Sequence, residues 1–293
     1  MRTDPVVRVL GAIAIMMAGC SSGPEPGPGG ALELHLRSRT GDRADSKTVS
    51  WDPRKTAFIV CDMWDDHWCK GAAARVAELA GPMNRLLRNA RSRGVFIIHA
   101  PSTTTGFYRG TPARTRAQEA PASPAPAPLS REMRWGTAWC WPDRSREPEL
   151  PIDDSDMGCD CETPCTIREA WGRQIASIEI DPEKDAVTDD GQETVNLLSS
   201  RGIDHVALLG VHLNMCVLGR PFAIRQLVHQ GRDVALIRDM TDTMYNHRKR
   251  PGVSHFEGTD LVVSHVERYW CPSFASSDLV GGSPFRFRAD PRP

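Results

Sequence analysis

Two hydrophobic rhythms succeed one another along two separate stretches of the chain. Thr56-Ala-Phe-Ile-Val-Cys61 is a continuous apolar run ending in Asp62, the pattern of a strand buried on both faces. Val76, Leu79, Ala80, Met83, Leu87 and Ala90 then recur at helical spacing, with Gly81-Pro82 marking a kink or a restart and Arg93-Gly94 an end. Val95–Ile98 is a second buried strand, so the order predicts a parallel crossover unit. The rhythm resumes with a strand over Ala176–Ile180, a helix over Gly191–Arg201 closed by Gly202, and a strand over His205–Gly210. A helix marked by Val217, Pro221, Ile224 and Val228 follows, then a strand over Asp233–Arg238 that ends at Asp239. Thr259 is expected to cap a last helix carrying Val262, Val266 and Tyr269. This alternation predicts an α/β protein, with three αβα layers around a mostly parallel sheet.

Elsewhere the rhythm is missing. Residues 100–173 read as an insertion containing the low-complexity Ala120–Pro128, the tryptophans Trp135, Trp139 and Trp141, and the acidic Asp153-Asp-Ser-Asp156. A lid or an oligomer contact is its expected role. Residues 20–50 are polar and read as a flexible tether, which leaves a folded domain over 51–293. In front of them, residues 1–19 have the parts of a signal peptide: Arg2 and Arg8, an apolar run from Val9, then small residues. Met17-Ala-Gly-Cys20 resembles a bacterial lipobox, which implies that Cys20 is lipidated and that the protein is exported and membrane-anchored on the periplasmic side.

The balance of 36 basic and 37 acidic residues among 293 excludes the basic excess of a nucleic-acid binder. Of the nine cysteines, acylation of Cys20 leaves eight, and they do not read as a disulfide framework. Cys159-x-Cys161-x-x-x-Cys165 resembles a metal cluster but lacks a fourth partner at zinc-site spacing, so oxidation of at least one of these thiols is expected after export. Asp154-x-Asp156-x-Gly158 is an incomplete calcium loop. Neither a metal nor a cofactor is expected.

In an open parallel sheet, ligands bind beyond the carboxyl ends of the strands. Asp62, His99 and Cys216 fall there. A cysteine at a helix N-terminus is expected to have a lowered pKa, a neighbouring carboxylate can take its proton, and backbone N–H groups can hold an oxyanion. These are the parts of a thiol hydrolase. Phe58-Ile-Val-Cys-Asp62, Gly210-Val-His-Leu-Asn-Met-Cys-Val217 and Gly231-x-Asp-Val-Ala-Leu-Ile-Arg-Asp239 together resemble the isochorismatase-like cysteine hydrolases, which include nicotinamidases and N-carbamoyl-amide hydrolases.

The resemblance implies a Rossmann-like topology, Cys216 as nucleophile and Asp62 as catalytic acid–base. It also implies a cis peptide at Val211–His212, with the amides of His212 and Cys216 as oxyanion hole. The sequence departs from the family where a catalytic Lys belongs: Asp189 best matches that position, and Lys184 lies several residues early. The Asp-x-His metal motif of nicotinamidases is replaced by His99-Ala-Pro-Ser, and Arg220-Pro221 stands in a region usually built of small residues. Trp64, beside Trp68, and His99 are candidate pocket residues. Arg220 either binds a substrate carboxylate or pairs with an acid such as Asp65 or Asp66.

The expected activity is hydrolysis of a small-molecule amide, or an ester, through a thioester. The alternative, prompted by the missing Lys, is a non-catalytic binding or assembly module. The expected partners are a small-molecule substrate and a second copy in a homo-oligomer, with no nucleic acid and membrane contact through the lipid anchor only. Mass spectrometry of the N-terminal peptide from native membranes should find Cys20 lipidated; an unmodified peptide still beginning at Met1 would contradict this.

Overall fold

In the computed structural model, the described residues are Met1, 30–134, 137–140 and 142–292. The expected signal segment with Cys20, and Trp135 and Trp141, lie outside them. The sheet is built from β1 (Leu32–Thr40), β2 (Arg43–Trp51), β3 (Thr56–Cys61), β4 (Phe96–Ala100), β7 (Ala186–Val187), β8 (His205–Val211), β9 (Asp233–Asp242) and β10 (Ser273–Phe274). A small hairpin in the insertion supplies β5 (Glu132–Arg134) and β6 (Thr137–Trp139). The sheet order is β2-β1-β10-β9-β8-β3-β4-β7. From β10 to β7 every pairing is parallel, while β1 joins β10 and β2 antiparallel.

Helices cover both faces. On one, α1 (Lys70–Ser92) and α7 (Ser277–Val280) pack over Phe58, Val60, Ala207 and Leu209. On the other, α3 (Gly191–Ser200), α4 (Cys216–Gly219), α5 (Ile224–His229) and α6 (His255–Tyr269) pack over Ala57, Ile59, Val206 and Leu208. Neighbouring residues of β3 and β8 thus serve opposite layers, which is why their sequences read as unbroken apolar runs. The fold is a three-layer αβα sandwich around a mostly parallel sheet. No described helix is long and apolar enough to cross a membrane.

Several local expectations need correction. The tether expected over residues 20–50 is wrong for residues 32–50, where β1 and β2 form a hairpin around Gly41-Asp42. Leu32, Leu34 and Leu36 alternate with exposed residues and face the core, a period-two signal short enough to be lost among charges. Ala176–Ile180 is not a strand: Ile178 donates its N–H back to the Ile175 carbonyl, and the edge strand is Ala186–Val187, paired with Ile98 and His99. The last helix begins at His255, not Thr259. Ser254 and Glu257 form a capping box, and the Thr259 hydroxyl bonds Thr243 from within the helix. Helix α1 starts six residues before Val76, at Lys70, and runs on through Pro82. The helix expected over 217–228 is two short helices, since Pro221 forces Arg220 into extended backbone (φ −70°, ψ 156°).

The insertion folds back over α4, α5 and α6. It contains α2 (Pro112–Gln118) and the β5–β6 hairpin. Cys140 donates its N–H to the Gly219 carbonyl at 2.6 Å. Gly219 must lack a side chain, for a Cβ would meet the Trp139 ring at 2.7 Å. Deeper in, Glu147 accepts from Arg225 Nε and pairs with His265 Nε2, each at 2.7 Å. Burial alone would raise the Glu147 carboxyl, but the hydrogen bonds from His265 and Arg225 outweigh it and hold it at about 2.

Glu147→Ala strands a buried guanidinium and should destabilise the protein by about 3–5 kcal/mol, measured by urea unfolding. Because the carboxyl is depressed from 4.5 to about 2, its contribution is present above the unfolded value and disappears as pH falls through the folded one. A variant of unchanged stability at pH 7 would show the insertion to be undocked.

Candidate active site

Strands β3 and β8 lie side by side with Cys61 opposite Gly210. Gly210 sits at φ +105°, where a Cβ would meet the Cys61 carbonyl oxygen at 2.0 Å, so only glycine lets the two strand ends approach this closely. Directly beyond them the chain places Asp62 and, through the turn 212–215, Cys216. Asp62 takes a left-handed backbone conformation (φ 47°), a costly position for a residue with a side chain. Its Oδ1 accepts the Ser102 N–H at 2.7 Å, while Oδ2 is buried without a hydrogen-bond partner.

Three groups meet here: the Asp62 carboxylate, the Cys216 thiol and the Arg220 guanidinium, each 7 % exposed or less. Burial raises the Asp62 carboxyl; Arg220 and the contact with Cys216 partly oppose that rise. Burial also pushes the Cys216 thiol well up, the Asp62 charge adds to this, and Arg220 works against both. The lowered thiol pKa expected from a helix N-terminus is therefore not found. Helix α4 is four residues long, and desolvation beside a carboxylate outweighs what so short a helix can offer. The resting thiol is protonated.

Arg220 lies at this site rather than beside the acids Asp65 and Asp66. Its guanidinium lies against the Cys216 thiol, its charge acts on Asp62, and among the described residues it forms no ion pair with Asp65 or Asp66. Its Nη1 donates to the Thr137 hydroxyl, its Cζ lies 4.5 Å from the centre of the Trp139 ring, and Nε has no partner. Asp189 serves elsewhere: it accepts from the Thr103 N–H at 2.8 Å and from the Thr105 hydroxyl. Those bonds hold the loop whose Ser102 contacts Asp62. Lys184 pairs with Asp181.

The Val211–His212 peptide is cis. Among the described residues, neither the His212 nor the Cys216 backbone N–H is engaged by a protein acceptor. His99 is not a pocket residue. It is fully buried between Gln174 (2.9 Å) and Asp185 (3.1 Å), and Arg91 closes the Asp185 pair. Trp64 does line the cavity, stacked on Trp171 at 4.2 Å and 11°. Cys159, Cys161 and Cys165 lie outside it, their thiols unjoined.

The cavity above Cys216 has a volume of about 580 Å³ and walls rich in aromatic and thioether groups, among them Trp64, Trp68, Trp139, Trp171 and Met157. That size suits a small organic ligand. His67 and His212 meet edge to face at 5.1 Å along one wall. Burial holds His67 at about 4 and His212 well below its ordinary value, so both rings are neutral at pH 7. His67 carries no mark in the sequence beyond its place in Trp64-Asp-Asp-His-Trp68, just after Asp62. No local pattern marks Trp171.

No family model and no curated protein matches this sequence. Among solved structures, the chain is similar to a cysteine hydrolase from Pseudomonas syringae pv. phaseolicola 1448A, with 17% identity and a TM-score of 0.48 over 78% of this chain and 92% of that one. It is also similar to an isochorismatase from Pseudomonas putida KT2440, with 12% identity and a TM-score of 0.45 over 78% and 91%. For N-carbamoylsarcosine amidase from Thermoplasma acidophilum the figures are 13% and 0.35 over 64% and 83%.

If Arg220 lowers the thiol pKa, Arg220→Met should slow alkylation of Cys216 at pH 7 by about tenfold or more, the effect of losing an opposite charge at contact distance. Iodoacetamide labelling followed on the Cys216 peptide by mass measures it. An equal rate in both proteins would remove the guanidinium from the account.

Proposed function

We propose that this chain is an isochorismatase-like thiol hydrolase that cleaves a small amide, or an ester, through a thioester. The observation that carries the reading is the contact of Asp62, Cys216 and Arg220 at the floor of a ligand-sized cavity. Asp62 takes the thiol proton as the sulfur attacks the substrate carbonyl. The oxyanion that forms is held by the backbone N–H groups of His212 and Cys216. Collapse breaks the C–N bond, the amine leaves with the proton from Asp62, and the acyl group stays on sulfur. Water then adds to the thioester, losing its proton to Asp62. The acid departs and the thiol is restored.

A protonated resting thiol suits this sequence, because the proton moves only when a carbonyl is in place to receive the sulfur. Arg220 favours an enzyme over a binding module: with it, the site has the cation whose absence motivated the alternative. The aromatic walls favour a flat substrate. With Cys20 lipidated, the enzyme would act on solutes outside the cytoplasm.

A screen of small amides for ammonia or amine release by the anchor-free protein tests the reading. Cys216→Ala and Asp62→Asn should each lower turnover by at least a thousandfold, with an acyl-enzyme detectable by mass only when Cys216 is present. Wild-type turnover should rise with pH through the raised Asp62 value, since the base must be ionised. A Cys216→Ala variant that keeps wild-type turnover would refute the mechanism.

A further inference from the structure

The fold draws a cluster of thiols together away from the cavity. Cys69 stands at the N-cap of α1, and the insertion brings Cys159, Cys161 and Cys165 against it. The Cys69 and Cys161 sulfurs are 3.8 Å apart, and those of Cys69, Cys159 and Cys161 all lie within 4.8 Å of one another. Cys165 contacts the thiols of Cys159 and Cys161. A tetrahedral ion with metal–sulfur bonds of about 2.3 Å separates its ligand sulfurs by about 3.8 Å. One ion can satisfy all of these sulfurs at once, whereas a disulfide joins only a pair.

We propose that Cys69, Cys159, Cys161 and Cys165 form a four-thiolate site for a structural zinc ion. The fourth ligand, which the 159–165 spacing lacks, is Cys69, far upstream in the chain. Backbone donors face the sulfurs. Gly71 donates its backbone N–H to the Cys161 sulfur at 3.3 Å, and the first turn of the 23-residue α1 presents further N–H groups to Cys69 and Cys165. Asp160, between two of the ligands, is fixed by Arg75 at 2.7 Å, and Arg248 donates to the Cys161 carbonyl at 2.9 Å. Such outer contacts hold a ligand loop in shape and offset the negative charge of four thiolates. Binding displaces the thiol protons to solvent and changes no oxidation state.

With four protein ligands the site is closed to substrate, so its role is structural. It clamps the segment carrying Met157, Ile167 and Trp171, part of the cavity wall, to the start of α1. The proposal therefore stands whether or not the cavity is catalytic.

The test is metal analysis of the full chain purified without chelator or added metal, with X-ray absorption at the zinc edge. Wild type should hold one zinc per chain in an all-sulfur shell at about 2.3 Å. Cys161→Ser should lose at least nine-tenths of it under a chelator that leaves wild type and Cys140→Ser loaded. Removing the metal from wild type should open residues 157–171 to proteolysis. The absorption spectrum of wild type decides the matter even if Cys161→Ser fails to fold. A metal-free wild type with a disulfide among these cysteines, iron in place of zinc, or a shell containing nitrogen or oxygen would overturn the proposal.

Discussion

The site depends on one electrostatic relation: the Arg220 guanidinium lies against the Cys216 thiol, and its charge acts on the buried Asp62 carboxylate beside it. A carboxylate with an unpartnered oxygen in a dry cleft tends to protonate, and a thiol beside it tends to stay protonated. Arg220 opposes both tendencies. It does so from a specific place in the chain. Pro221 ends the Cys216 helix after a single turn and leaves Arg220 extended, so its side chain returns to the residue one turn before it. The strand ends add the rest: Gly210 permits the close approach of β8 to Cys61, and Asp62 takes its left-handed backbone just beyond.

The insertion completes this arrangement. Thr137 and Trp139 contact the guanidinium, and Trp171 stacks on Trp64 in the cavity wall. Glu147, gripped by Arg225 and His265, ties the same segment to α5 and α6. A stretch without sequence periodicity therefore has a defined place, held by buried ion pairs, stacked rings and a thiol cluster instead of a regular hydrophobic face. Its side chains set the dryness of the cleft, and dryness is what gives Arg220 its leverage over the other two groups.

The central sheet was legible because strands buried on both faces must be apolar throughout, as Thr56–Cys61 and Val206–Leu209 are. Asp62 and Cys216 were legible because each follows such a run. The β1–β2 hairpin escaped notice because only Leu32, Leu34 and Leu36 mark it among charged neighbours. Arg220 was noticed but not assigned. The cation expected before the Gly191 helix, where Asp189 stands, is absent there, while the fold places Arg220 against Cys216 from one turn further along the chain. His99 was misread because position at a strand end does not say which way a ring points; Gln174 and Asp185 turn it inward. Cys69 could not be joined to Cys159–Cys165 by spacing, since only the docking of the insertion brings them together.

The most direct test of the central claim is the pH dependence of Cys216 alkylation in Asp62→Asn against wild type. Removing the carboxylate charge leaves Arg220 facing the thiol alone, so the alkylation midpoint should move to lower pH and labelling at pH 7 should quicken by about tenfold or more, although the proposed base is gone. A midpoint that stays in place or moves upward would show that Asp62, Cys216 and Arg220 do not act as one electrostatic unit.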